Sequence, residues 1–500
     1  MRHLTFVWVI LSCATAVWAT MPPSRSDAAV PRDEKSLAAD AAAYARKQMF
    51  AGGAPGFAIG IVRGPKLLFA KGYGHAGDNG REVTIDTPFI LGSTTKSFTA
   101  LCVMQLADAG KIGLDELVKR YLPGFMGDGP AITVRMLLNQ TSGISHAAGD
   151  QPILSAGLTR GDAIRSWAMA LTPFAQDRPA GASFEYSNAN YIVLGAVIES
   201  VSGEGYAHYV RTHVFEPLGM NHSYASLVEA RQHDVAQGYR EWFGWFEAND
   251  LPYPPSFIPA GFMISSVGDM ARYMAMEANG GELDGVRVIS ETGLTEMHRG
   301  VASMDPEGKS SYAMGWVADT FNGVPVFYHD GDTGRFTSII AISRTERFGV
   351  VILANASGWL YGPHQTDAAN GAINILVGGT TKSYATPYLI TKVALGVIIV
   401  IALLQLLSVI RAMTGKPGRS VLLEFIIPTT INVACAVVFA YALPRIFFGI
   451  PLTEMVSSIP EIGVAALASI ACAATWGLLT ARRLIWQPTF AVTGNRASSI

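Results

Sequence analysis

Three regimes of apolar patterning follow one another along this chain, and each predicts a different kind of element. At the start, Met1-Arg2-His3 precedes an apolar run over residues 4–16 and then Val17-Trp18-Ala19, the charged, apolar and small-residue parts of a secretory signal cleaved after Ala19. In the second regime, residues 20–385, short apolar runs of strand length at 57–62 and 66–70 come first, and 336–343 and 350–354 read as two strands paired around a turn at 344–349. Helical periodicity follows Ser93 and dominates residues 134–279. Strands first and last around a helical middle predict an α+β fold: a sheet built from both chain ends, with helices against it.

The third regime is three apolar segments at 388–410, 421–443 and 462–479, each near the roughly 20 residues that cross ~30 Å of hydrocarbon. Buried core helices are the alternative, but the length of the runs and their polar flanks favour membrane spans. Arg411, Lys416 and Arg419 follow the first and Arg482 and Arg483 the third, whereas the loop between the second and third holds Arg445, Glu454 and Glu461. Positive loops stay in the cytoplasm, which places everything before residue 388 outside. A cleaved signal followed by an odd number of spans gives the same topology. The expected organisation is a signal (1–19), an exported domain (20–385), a three-helix anchor (386–483) and a cytoplasmic tail (484–500) in the cell (inner) membrane, with lipid as a partner. Glu424 and Asn432, eight apart in the second segment, fit one face of a helix turned to a bundle interior, although Glu424 also reads as snorkelling to the interface.

Composition narrows the function. With 37 Lys+Arg against 39 Asp+Glu the chain carries a formal net charge of −2, so nothing electrostatic favours nucleic acid as a partner. Only 15% of residues are charged, in keeping with part of the chain lying in lipid. Of four cysteines, Cys13 lies in the leader and Cys435 and Cys472 in apolar segments, which leaves Cys102 alone in the exported domain and no disulfide within it. Acylation of Cys13 as a lipoprotein is the alternative there, with a poor lead-in in Ile10-Leu11-Ser12. No pair among ten histidines has metal-ligand spacing, and there is no Cys-x-x-Cys or Gly-x-Ser-x-Gly, so no metal or other cofactor is expected. Gly72-Tyr73-Gly74-His75-Ala76-Gly77 has dinucleotide-binding spacing, but Asp78-Asn79-Gly80 follows where a helix should start, and the stretch reads as a loop.

Three short motifs carry chemistry. Ser93-Thr94-Thr95-Lys96 opens a helical pattern, and a spacing of three puts Ser93 and Lys96 on one face, one turn apart. A serine hydroxyl is a poor nucleophile at neutral pH, and an amine beside it at a helix start can take its proton or stabilise the alkoxide. The same residues also read as an N-cap serine with a solvated lysine. Tyr186-Ser187-Asn188 offers a phenol, which acts as a base when a cation such as Lys96 favours the phenolate, or else a structural turn. In His329-Asp330-Gly331-Asp332, the glycine lets a substrate backbone come close and the amide after it can face a developing oxyanion; locally the stretch reads as a hairpin turn.

In this order the three motifs resemble the serine β-lactamase and penicillin-binding superfamily, and within it the class C-type branch of D-aminopeptidases, DD-peptidases and esterases. Ser93 and Lys96 match its nucleophile and lysine, Tyr186 and Asn188 its Tyr-x-Asn motif, and His329, Asp330 and Gly331 stand where it has Lys-Thr-Gly. The likeness covers residues 36–379 and includes Leu-Leu-Asn-Gln-Thr-Ser-Gly at 137–143, Glu-Pro-Leu-Gly-Met at 216–220, Pro259-Ala260-Gly261 and Met314-Gly315-Trp316. It implies an antiparallel sheet flanked by helices with a helical subdomain, and two-step acyl transfer. Lys96 and Tyr186 would deprotonate Ser93, the amides of Ser93 and Asp332 would hold the oxyanion, Tyr186 would help water release the acyl group, and Asn188 would bond the substrate amide. His329 in place of lysine implies weaker attraction for an anionic substrate end, fading as pH rises, with Arg335 as an alternative cation.

A serine hydrolase domain outside three C-terminal spans is similar to membrane-bound peptidases that mature non-ribosomal peptide prodrugs, the colibactin-maturation type among them. The expected function is therefore a membrane-anchored peptidase of the D-aminopeptidase or prodrug-maturation type acting on a small peptide or acyl-amide. A cell-wall DD-peptidase, an esterase, or a slowly acylated β-lactam sensor are the alternatives. A sensor needs a cytoplasmic output module, and the tail after Arg483 has little mass for one. Oligomeric state is open at this level.

Overall fold

The apolar runs at the two ends of the second regime meet in one sheet. The computed structural model describes residues 33–149, 162–249, 253–305, 307–381, 385–414, 426–447, 452, 455–456 and 460–485. The expected signal and most of the expected tail lie outside the described residues, as do Lys416, Arg419, Glu424 and Glu454. The eight strands are β1 (Gly56–Arg63), β2 (Lys66–Gly74), β3 (Ala302–Ser303), β4 (Ser311–Tyr312), β5 (Val317–Phe321), β6 (Val324–Asp332), β7 (Thr337–Ser343) and β8 (Phe348–Ala354). Their order is β2-β1-β8-β7-β6-β5-β4-β3, antiparallel throughout.

Both faces of the central strands are covered, which is why they read as unbroken apolar runs rather than alternating ones. Phe57, Ile59, Ile61, Val350 and Ile352 pack on one side against helices α1 (Glu34–Ala51) and the later Gly362–Leu376. Ala58, Val62, Ile340, Ile342, Val351 and Leu353 face the larger, helical side. That side holds α2 (Thr95–Asp108), α3 (Asn188–Ser202) and α4 (Val267–Ala278). Gly72 to Gly74 differ from the sequence reading: they finish β2 instead of forming a loop, and a side chain on Gly72 would meet the Val83 carbonyl at 2.2 Å. The helical middle also contains a small sheet, with the hairpin Tyr239–Trp242/Trp245–Ala248 and Ala356–Ser357 parallel to its first strand. Cys102, Cys435 and Cys472 are free thiols.

Three helices follow the sheet: α6 (Ala385–Thr414) after α5 (Gly362–Leu376), then α7 (Ile427–Val437), extended as a π-helix over Val438–Phe447, and α8 (Pro460–Ile485). Within them Leu395–Thr414, Ile427–Arg445 and Glu461–Arg482 are long and apolar enough to cross a membrane. Asn432 is buried between them, bonded to Gln405 Nε2 at 3.3 Å, and Trp476 Nε1 donates to Thr429 Oγ1 at 2.8 Å. These polar links tie the three helices to one another.

Candidate active site

Ser93 is the partly exposed residue in an otherwise buried run, at the centre of a 3-10 turn, Gly92–Thr94, that feeds α2. The turn is stapled to the sheet: Ser338 Oγ of β7 donates to the Leu91 carbonyl and lies 2.9 Å from Thr94 Oγ1. One turn on, Lys96 has a relative exposure of 0%. Its Nζ donates to Ser93 Oγ at 3.0 Å, Asn188 Oδ1 at 2.7 Å and the Ala260 carbonyl at 2.6 Å. Tyr186 closes the group, its hydroxyl donating to Ser93 Oγ at 2.7 Å while Lys96 Nζ sits 4.7 Å from its ring centroid. An ammonium has three N–H groups, and here three acceptors meet them.

Tyr186 and Asn188 are held by a residue that the motif reading passed over. Gln140, at φ +59°, accepts the Glu185 amide on its carbonyl at 2.8 Å and the Ser187 amide on its Oε1 at 3.0 Å. Both bonds fix the chain on either side of Tyr186, with Ser187 capping α3 and Asn188 as its first residue. The one available signal was Gln140's place in the 137–143 stretch, since a lone glutamine announces no such clamp. Ala260 and Gly315 belong to the stretches Pro259-Ala260-Gly261 and Met314-Gly315-Trp316. Their work is visible here: Ala260 accepts from Lys96, and Gly315, at φ +79°, leaves room for the Lys96 carbonyl, which an added Cβ would meet at 2.7 Å.

The third motif is corrected in two respects. His329, Asp330, Gly331 and Asp332 are not a turn but the end of β6; the turn is Thr333–Phe336, closed by the Thr333 amide on the Phe336 carbonyl at 3.0 Å. Strand alternation turns His329 inward and Asp330 out. The imidazole is 3% exposed, with Nδ1 2.6 Å from the Asp330 carbonyl and Nε2 3.1 Å from the Tyr312 hydroxyl. Burial, helped by the positive Lys96 and opposed by Asp330, pushes it down to about 4. Burial thus favours the neutral ring, whose two nitrogens lie against the Asp330 carbonyl and the Tyr312 hydroxyl. Arg335, the alternative cation, is tied to Asn249 Oδ1 at 3.0 and 2.8 Å and to the Gly334 carbonyl at 2.7 Å.

Gly331 and Asp332 run close beside the nucleophile's turn. An added Cβ on Gly331 would be 2.9 Å from the Ser93 nitrogen, and one on Gly92 would be 2.7 Å from the Asp332 nitrogen. The backbone of β6 thus touches the nucleophile's turn. The Asp332 carboxylate accepts from Ser357 Oγ and from the Gly334 amide. Asn188, expected to bond substrate, turns its amide oxygen to Lys96. No three or more His, Cys, Asp or Glu side chains gather as a metal site among the described residues.

One expected result follows from His329. The unfolded chain takes up its proton near pH 6.5, while the folded ring resists until about 4, so stability falls as pH drops through this window. Because burial holds the folded ring below the ordinary imidazole range, the ratio of β-lactam to neutral-ester acylation should change little over pH 5.5–8.5 in wild type. A ratio that falls as pH rises would show that the imidazole does carry charge toward substrate.

A sheet built from both chain ends with a helical layer over one face is a fold of the penicillin-binding-protein type, and within it a serine is held by a buried lysine and a tyrosine. The family model described as Beta-lactamase matches residues 41–372, and the chain belongs to that family, whose members are generally serine hydrolases. Protein flp of Staphylococcus aureus (strain MW2) is 27% identical over 417 residues, 79% of this chain and 80% of that protein. Penicillin-binding protein 4 of Amycolatopsis lactamdurans is 32% identical over 302 residues, covering 58% of this chain and 77% of its own length. The octameric penicillin-binding protein homologue from Pyrococcus abyssi superimposes with a TM-score of 0.61 at 27% identity, over 69% of this chain and 78% of that one.

Proposed function

We propose that this protein is a membrane-anchored serine hydrolase that cleaves amide bonds outside the cytoplasm through an acyl-Ser93 intermediate, a peptidase of the D-aminopeptidase or prodrug-maturation type. The observation that carries the reading is the meeting of Lys96 Nζ and Tyr186 Oη on Ser93 Oγ, at 3.0 and 2.7 Å. In the reacting form Lys96 is the ammonium, and its charge beside the ring favours the Tyr186 phenolate that takes the Ser93 proton. Ser93 loses its proton to Tyr186 as its oxygen bonds to the substrate carbonyl, and the amides of Ser93 and Asp332 receive the oxyanion. Collapse breaks the C–N bond, and Tyr186 returns the proton to the leaving amine. Water then repeats the sequence to release the acid. The chain's own residues suffice for each step, and a neutral His329 favours substrates without a carboxylate close to the scissile bond.

A fluorophosphonate should add its mass to the peptide carrying Ser93 and leave Ser93→Ala unlabelled; equal labelling of the variant would overturn the assignment. For the anchor, a reporter active only outside the membrane should work when fused after Gly379 and stay silent after Arg483. The opposite pattern would invert the topology.

A further inference from the structure

The tip of the hairpin Tyr239–Trp242/Trp245–Ala248 has a composition that its own fold does not explain. Phe243 and Gly244 form the two-residue turn, with φ +52° and +86°. Asn-Gly is the usual pair for a turn with both residues left-handed, and a phenylalanine there costs conformational energy. Trp242 and Trp245 face each other across the strands and are 36% and 76% exposed. Four aromatic residues in five positions thus surround the turn, three of them at the tip, while Phe246 turns inward against Tyr361.

The position of the tip supplies the reason. The Phe243 amide donates to Glu461 Oε1 at 3.2 Å, and Glu461 is the first residue of the third apolar span. On the same hairpin Glu241 is buried, its carboxylate accepting the Leu360 and Tyr361 amides. Burial raises it to about 7, with Glu461 adding to the rise and Lys392 opposing it. Lys392 lies three residues before Leu395, where the first span begins. The hairpin tip therefore meets the start of the third apolar helix, and Lys392, just before the first, acts on Glu241 through its charge.

We propose that the Trp242-Phe243-Gly244-Trp245 tip is immersed in the outer interfacial layer of the bilayer that holds the three spans, and fixes the catalytic domain against the membrane surface. This rests on the membrane-anchored reading. Indole has an apolar body and one N–H, which is the chemistry of the headgroup boundary, and aromatic residues gather there in membrane proteins. The tip is also mechanically tied to the site. Its first strand pairs with Ala356–Ser357, and Ser357 Oγ donates to the carboxylate of Asp332, beside the nucleophile's turn.

The test uses the full chain reconstituted in phosphatidylcholine vesicles brominated either near the headgroup end of the acyl chains or near their methyl ends. The fluorescence difference between wild type and a Trp242→Tyr/Trp245→Tyr variant isolates two of nine tryptophans without removing the aromatic tip. That difference should be quenched about twofold or more by shallow bromine relative to deep bromine, as for an interfacial indole. A difference spectrum unquenched in both vesicles overturns the inference. So does a tip shielded only by a second copy of the chain, seen as emission that shifts on dilution into excess lipid. Trp476, in the third span, remains in the variant and reports deep quenching if the spans cross the bilayer. Fluorophosphonate labelling of Ser93 in the same vesicles reports the hydrolase reading separately, so each failure has its own signature.

Discussion

Tyr186→Phe should lower the rate of Ser93 acylation by about 10²- to 10⁴-fold while leaving the thermal midpoint near that of wild type, the range expected when a positioned proton acceptor is lost. The substitution removes one oxygen, and that oxygen's partner is Ser93 Oγ at 2.7 Å. The ring remains to pack against Tyr312, 6.3 Å between centroids, and beneath Lys96. Lys96→Ala should cost at least as much activity, but it also empties a fully buried site and removes the donor to the buried Ala260 carbonyl. Unpaired buried acceptors cost about 1–3 kcal/mol each, so that variant should melt earlier and its rate must be read at matched folded fraction. Lys96→Met fills the space without the charge and separates the two effects. Wild-type acylation in both Tyr186→Phe and Lys96→Met would show that neither group handles the serine's proton.

Parts of this arrangement were legible before any coordinates. β1, β7 and β8 were readable because strands buried on both faces leave continuous apolar runs, and the Ser93/Lys96 pair because a helix converts a spacing of three into contact. The three apolar C-terminal helices followed from length alone. What escaped depends on neighbours distant in sequence. β3 and β4 are two residues each and leave no period to detect. His329 looked like a turn residue because Asp330-Gly331-Asp332 is turn-like in composition; the pairing of Gly331 with Ser338 on β7 is what keeps it in a strand. An ordinary imidazole is already mostly neutral at pH 7, but the further lowering of His329 by burial near Tyr312, Tyr186 and Lys96 leaves no mark in the local sequence. The Gln140 clamp likewise joins residues far apart in the chain, and nothing local marks it.

Gly331→Ala should lower kcat by about 10²- to 10³-fold, the scale of losing one oxyanion donor. The cause is space rather than backbone conformation, because Gly331 does not have a positive φ. A Cβ there would sit 2.2 Å from the Leu91 carbonyl oxygen, 2.5 Å from Ser338 Oγ and 2.9 Å from the Ser93 nitrogen. Two of these are backbone atoms of the nucleophile's own turn and cannot rotate away. β6 must then retreat from Ser93, and the Ser93 and Asp332 amides, proposed to share one oxyanion, move apart. A preorganised pair of donors is effective only while its spacing is kept, so the loss should appear in kcat more than in KM. Gly334→Ala is the control in the turn just beyond: it has φ +76° but open space around its added Cβ, so it should cost some stability and little rate. If Gly331→Ala is folded, as judged by its thermal transition, and turns over substrate as fast as Gly334→Ala, the close approach of β6 to Ser93 has no part in holding the oxyanion.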